Sequence, residues 1–172
     1  MKMFIRIISW SLSGVFIAAA AAFLLMRMFG YVPYTVVSGS MEPVYPVGSL
    51  VFVKNIPHES VKVGDSISFV LDKNLNVATH RVVKISDNKQ YFYTKGDAND
   101  TVDAAPVYYK NILGRTEFSI PYLGYASIWL SSSVGKACAI ILLVVLLALS
   151  VAERVFFGKE KFFLENEAVQ GT

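Results

Sequence analysis

A mainly β domain, antiparallel or barrel-like, held between two membrane-spanning helices is the fold this sequence predicts. Three observations carry the prediction. Hydrophobic residues make up 54% of the 172-residue chain, high for a soluble protein. That excess collects in two uncharged runs near the two ends of the sequence. Between the runs, apolar residues alternate or cluster in short β-branched stretches separated by turn residues, without the i, i+3, i+4, i+7 spacing of a helix.

The first run lies between Arg6 and Arg27, where twenty uncharged residues suffice to cross about 30 Å of hydrocarbon as a helix. Lys2, Arg6 and the small residues Ala18–Ala22 have the look of a cleavable leader. The apolar run continues past them through Phe23, Leu24, Leu25 and Met26, which suits a retained anchor. The second run is Ala137–Ala152, sixteen residues, with Lys136 able to snorkel and Val155, Phe156 and Phe157 able to extend it. The expected order is a cytoplasmic N-terminus (1–6), a span (7–28), an extracytoplasmic domain (30–130), a second span (134–156) and a polar cytoplasmic tail (158–172). Lys2 and Arg6 before the first span, with Arg154, Lys159 and Lys161 after the second, set this two-pass orientation by the positive-inside rule.

Five strands are expected in the intervening domain: Ser49–Ile56, Asp65–Leu71, Val77–Ser86, Gln90–Lys95 and Ile112–Ile120. Pro57, Gly64, Asp72-Lys73-Asn74, Asp87-Asn88 and the Gly96–Asp103 stretch punctuate them. Residues 31–135 hold nine Lys/Arg and nine Asp/Glu, so the net charge of +3 belongs to the membrane flanks. Such a domain is a poor match for nucleic acid, and the basic flanks suit anionic lipid. The one cysteine, Cys138, falls in the second apolar run, so the domain has neither a disulfide nor a thiolate metal site.

Three segments bear side chains that can act together: Ser38-Gly39-Ser40-Met41-Glu42-Pro43, Ala78-Thr79-His80-Arg81-Val82-Val83, and Lys95-Gly96-Asp97-Ala98-Asn99-Asp100-Thr101-Val102-Asp103. A serine hydroxyl attacks a carbonyl only with a base beside it, and that base works best when a third group holds it. Of the two histidines in the domain, His80 sits in a strand-like run and His58 in a turn. Each segment also has a plainer reading. Ser-Gly-Ser beside prolines makes an ordinary turn, and a strand histidine often serves structure. The acidic stretch puts Asp97, Asn99, Thr101 and Asp103 at positions 1, 3, 5 and 7 of a calcium loop, but Val102 and Tyr108 stand where that loop needs Gly and Glu. These residues alone leave a hydrolytic β domain and a partner-binding one both open.

The three segments, in this order and after a membrane anchor, resemble the boxes of type I signal peptidases, over roughly Tyr34–Tyr125. Histidine ahead of Arg81-Val82-Val83, where the common bacterial branch has lysine, resembles the endoplasmic-reticulum-type branch and its SipW-like members. The resemblance implies a serine endopeptidase that removes signal peptides, with Ser40 as nucleophile, His80 as base and Asp103 as the acid that orients it. It implies supporting roles for Ser38, as an oxyanion donor beside the Ser40 amide, and for Asp97, in the loop or in orienting His80. Ala104 departs from the pattern, since many relatives carry another acid there, and either aspartate could be the third member. The substrates it implies are secretory preproteins with A-x-A-like sites, met at the lipid bilayer, with the secretion translocon as a candidate neighbour and with no metal or organic cofactor. Pocket walls are expected from Ser49–Val53 and Ala78–His80. Met41, Val44, Tyr45 and Val47 are candidates either for lipid contact or for the core. Rival readings are a non-enzymatic two-span protein whose β domain binds a partner, a self-processing protease of the repressor type, and a serine–lysine enzyme using Lys84 or Lys95.

Overall fold

The computed structural model describes residues 2–72, 76–148 and 151. The chain divides into two compact units, Phe23–Trp129 and Met1–Ala22 with Leu130–Thr172.

Seven antiparallel strands form one open, half-barrel sheet in the order β1-β2-β7-β3-β4-β5-β6. They are β1 (Tyr31–Thr35), β2 (Leu50–Lys54), β3 (Ser66–Val70), β4 (Val77–Ile85), β5 (Tyr91–Lys95), β6 (Val107–Tyr108) and β7 (Ile112–Ile120). The five expected strands are β2, β3, β4, β5 and β7; β7 has the expected bounds and the other four are shorter by one to three residues. β1 and β6 were not expected, and they form the two edges. The sheet is therefore not a closed barrel: β6 has only two residues and cannot carry the ladder round to β1.

Strand β2 is buried on both faces, which is why it reads as an unbroken apolar run rather than an alternation. Val51 and Val53 pack with Met41 and Tyr45, while Phe52 points the other way and stacks on Phe118 with ring centroids 4.6 Å apart. A second cluster gathers Val61, Ile67, Phe69, Val82, Phe92 and Val107. The opposite face of β3 is hydroxyl-lined: Ser68 bonds Thr79 at 2.7 Å and Thr116 at 3.1 Å, while the buried Ser66 Oγ on the same face has no hydrogen-bond partner. Met41 and Tyr45 thus belong to the core, at 2% and 9% exposure, whereas Val44 and Val47 are exposed at 48% and 37%. Phe92, fully buried where β5 meets this second cluster, makes the fold's sharpest test. Phe92→Ala is expected to cost about 3–5 kcal/mol of stability, read as a lowered denaturation midpoint of the purified chain.

Helix α1 runs over Lys2–Met28, and its stretch Trp10–Met28 is long and apolar enough to cross a membrane. Val15, Phe16, Ile17 and Leu24 on it are exposed, as lipid-facing side chains would be. Helices α2 (Leu123–Ser131) and α3 (Ser133–Ala148) are separated by a break at Ser132, and they reach spanning length only if taken together. The second span was expected at 134–156; Leu149, Ser150 and residues 152–156 lie outside the described residues, as does the expected tail, 158–172.

Candidate active site

Ser40 sits in a single 3₁₀ turn, Gly39–Met41, that follows β1. The turn is fixed from below because Met41 is an anchor in the core. Ser38 is the turn's N-cap residue but makes no capping bond; its hydroxyl lies instead 3.4 Å from Ser40 Oγ. The Ser40 N–H is at the end of the turn where helical geometry leaves amides without internal acceptors.

His80 comes from the middle of β4, on the face shared by Ala78 and Val82, with Phe69 edge-on to its ring at 6.2 Å. Its Nε2 is 3.1 Å from Ser40 Oγ and its Nδ1 is 2.6 Å from Asp103 Oδ2. A carboxylate only accepts, so the proton in the second bond is assigned to Nδ1, and Nε2 is left to accept from the serine hydroxyl. Asp103 is held in turn by β5: Thr94 Oγ1 donates to Oδ2 at 2.6 Å, and the Asp103 N–H donates to the Thr94 carbonyl at 2.9 Å. His80 and Asp103 side chains are only 15% and 22% exposed, which shields the pair from water.

Asp97, the other expected acid, is turned elsewhere. It accepts from both Nε and Nη2 of Arg81, the Nε bond being 2.7 Å, while Arg81 Nη1 donates to the Gly64 carbonyl. Hydrogen bonding to Asp97 holds the Arg81 guanidinium above its ordinary pKa despite partial burial, so the guanidinium stays charged. The pair clamps the start of the Gly96–Asp103 loop to β4 beside His80. The loop also touches the Ser40 turn, since the Ala98 N–H donates to the Ser40 carbonyl at 2.9 Å. The aspartates of the stretch that resembles a calcium loop therefore face different partners, Arg81 and His80. Lys84, a rival base, stands over the ring of Tyr93 at 5.6 Å.

The serine opens into a cavity of about 360 Å³. Its walls come from the end of β1 and the residues after it (Tyr34–Ser38), from Met41, Tyr45 and Val51, and from Val77–His80 of β4, with Leu71 and Asn99 at its margin. The expected segments thus contribute Val51 and Ala78, Thr79 and His80, and the Tyr34–Ser38 wall was missed. Strand β5 pairs with β4 only from Arg81 onward, so among the described residues no strand covers that edge of Val77–His80.

Comparison with known proteins agrees with this arrangement. The family pattern described as "Signal peptidase, peptidase S26" matches residues 7–102, more than half of the chain. The chain belongs to that family. The matched region takes in Ser40 and His80 and ends one residue before Asp103. Signal peptidase I W of Bacillus subtilis (strain 168) is 43% identical over 98 residues, covering 55% of this chain and 51% of the relative. The signal peptidase complex catalytic subunit SEC11 of Candida albicans (strain WO-1) is 34% identical over 110 residues, covering 58% and 65%. Its counterpart in Lachancea thermotolerans is 35% identical over 135 residues, covering 67% and 79%. The chain therefore spans about half of the Bacillus signal peptidase and about two thirds of the Candida subunit.

Thr94 and Arg81 are the site residues that sequence reasoning left without a role. For Thr94 a signal exists: strand alternation puts it on the same face as Phe92, where a hydroxyl needs a reason. For Arg81 the partner depends on how β4 meets the loop, and nothing local announces it.

Proposed function

We propose that the chain is a membrane-bound serine endopeptidase that removes N-terminal signal peptides from secreted preproteins. The observation that carries this is the line Ser40 Oγ–His80–Asp103 at the mouth of an apolar cavity flanked by an uncovered strand edge.

An extended peptide fits between Val77–His80 and the Thr35–Ser38 segment by adding as a strand, its backbone bonded on both sides. Its alternate side chains then drop into the cavity against Val36, Met41, Val51 and Ala78, apolar walls that suit the small residues of an A-x-A site. His80 Nε2 takes the Ser40 proton as Oγ attacks the carbonyl carbon, and Asp103 stabilises the imidazolium. The oxyanion that forms is met by the Ser40 N–H and the Ser38 hydroxyl. The imidazolium then gives its proton to the leaving amine, and water hydrolyses the acyl-enzyme by the same route in reverse.

Helix α1 is read as one span and α2 with α3 as a second, interrupted one. Basic residues at both ends of the chain support termini in the cytoplasm and the peptidase unit outside. A substrate's apolar core ends at that outer surface, and Ser40 follows the end of α1 closely in the sequence.

The test uses the full chain in detergent and a precursor ending its signal peptide in A-x-A. Release of a mature product whose N-terminus follows the second alanine is expected. Replacing that alanine by arginine in the precursor is expected to stop release, because its charge would be buried against the apolar walls of Val36, Met41, Val51 and Ala78 without a partner. If several precursors all stay intact, the partner-binding reading takes its place.

A further inference from the structure

We propose that Thr94 is a positioning residue for the reacting set, holding Asp103 so that its carboxylate keeps His80 aimed at Ser40. The proposal rests on the reading of Ser40, His80 and Asp103 given above. Asp103 is in a loop, and a loop carboxylate without ties samples several rotamers. Two bonds from one residue remove that freedom: the Thr94 carbonyl takes the Asp103 N–H, and the Thr94 hydroxyl donates to Oδ2. That same oxygen receives the His80 Nδ1 proton, so the two donors together fix the plane of the carboxylate.

The sheet register explains why this position can do it. Thr94 pairs with Val82, two residues along β4 from His80, so Thr94 and His80 lie on the same face of neighbouring strands. The distance from His80 to the group that holds its partner is thereby set by the backbone ladder between β4 and β5. Thr94 is fully buried, two residues beyond Phe92 and facing the same way. Valine would fill that place in an ordinary strand core. A buried hydroxyl is costly unless bonded, and the side-chain bond of this one goes to Asp103.

The experiment compares Thr94→Val, which keeps the shape and loses the donor, with Thr94→Ser, which keeps the donor, in the full chain. For cleavage of the A-x-A precursor, Thr94→Val is expected to lower kcat about 10–100-fold with KM within about twofold, and Thr94→Ser to stay within about threefold of wild type. In an Asp103→Ala background, Thr94→Val should have little further effect, since the group it positions is gone. A second readout needs no substrate: the hydrogen-bonded Nδ1 proton of His80, followed by NMR on histidine-labelled protein, should shift in Thr94→Val and return in Thr94→Ser. Equal losses in the valine and serine variants, additive losses with Asp103→Ala, or an Nδ1 resonance blind to Thr94→Val would each overturn the proposal. A resonance that follows the hydroxyl in a protein that cuts no precursor would support the positioning role and count against the substrate reading instead.

Discussion

Replacing His80 by alanine should lower kcat/KM for precursor cleavage by roughly 10⁴–10⁶-fold, replacing Ser40 by alanine should do the same, and the double variant should be no worse than either alone. The expectation follows from one hydrogen bond. Ser40 Oγ has His80 Nε2 at 3.1 Å, so in the proposed mechanism the hydroxyl loses its base when the imidazole goes, and the imidazole has nothing to deprotonate when the hydroxyl goes. Groups that act as a unit fail as a unit, which is why the losses do not add. The fold should tolerate both changes, because the side chains at this site face a cavity and the core beneath is carried by Met41, Val51 and Phe69. Matching thermal melts for the variants would establish this alongside initial-rate measurements. Acidifying the wild-type enzyme should lower its rate too, since an imidazolium has no lone pair with which to take the serine proton. A His80→Ala protein that still cuts at a tenth of the wild-type rate would transfer the base to a lysine. The structure offers Lys84 no evident route to that role, as its ammonium stands over Tyr93.

How much of this was written in the residues depends on which force fixes each part. β2, β3, β4, β5 and β7 were legible because burial and pleat print themselves as apolar runs or alternation, with Gly, Pro and Asp at the joints. β1 was not, because Pro33 argues against a strand; it is tolerated since β1 is an edge, pairing with β2 alone. β6 is too short for any period to show. The candidate site was legible as three separate segments, Ser38–Pro43, Ala78–Val83 and Lys95–Asp103, each with an ordinary alternative. What no local pattern could supply was which acid meets which base. Asp97 and Asp103 look alike in sequence, and only the way the loop folds back sends one to Arg81 and the other to His80. The fates of Met41 and Val44 were likewise a matter of which side of one turn faces the sheet.

Gly96→Ala should cost activity about 10²-fold or more while touching none of the proposed reacting side chains. A Cβ at this position would stand 2.5 Å from the Ser40 carbonyl oxygen and 2.8 Å from Asn99 Nδ2. The Asn99 side chain can swing away, but the Ser40 carbonyl is main chain, held by the Ala98 N–H at 2.9 Å and tethered to the buried Met41. Relief therefore has to come from moving the nucleophile turn and the Gly96–Asp103 loop apart. That motion opens the Ser40–His80 distance and disturbs the loop that carries Asp103, so both ends of the proton path are affected at once. The loss should fall mainly on kcat, since Val36, Val51 and Ala78, which line the proposed binding groove, lie outside the clash. Gly30→Ala is the matched control at a glycine with open space around it and away from the Arg81–Asp97 clamp; it carries a positive φ, so its penalty is backbone strain and should appear in the melting temperature rather than in kcat. If Gly96→Ala cleaves as fast as wild type, the contact between this loop and the nucleophile turn does not set the serine's position, and the tight approach is only packing.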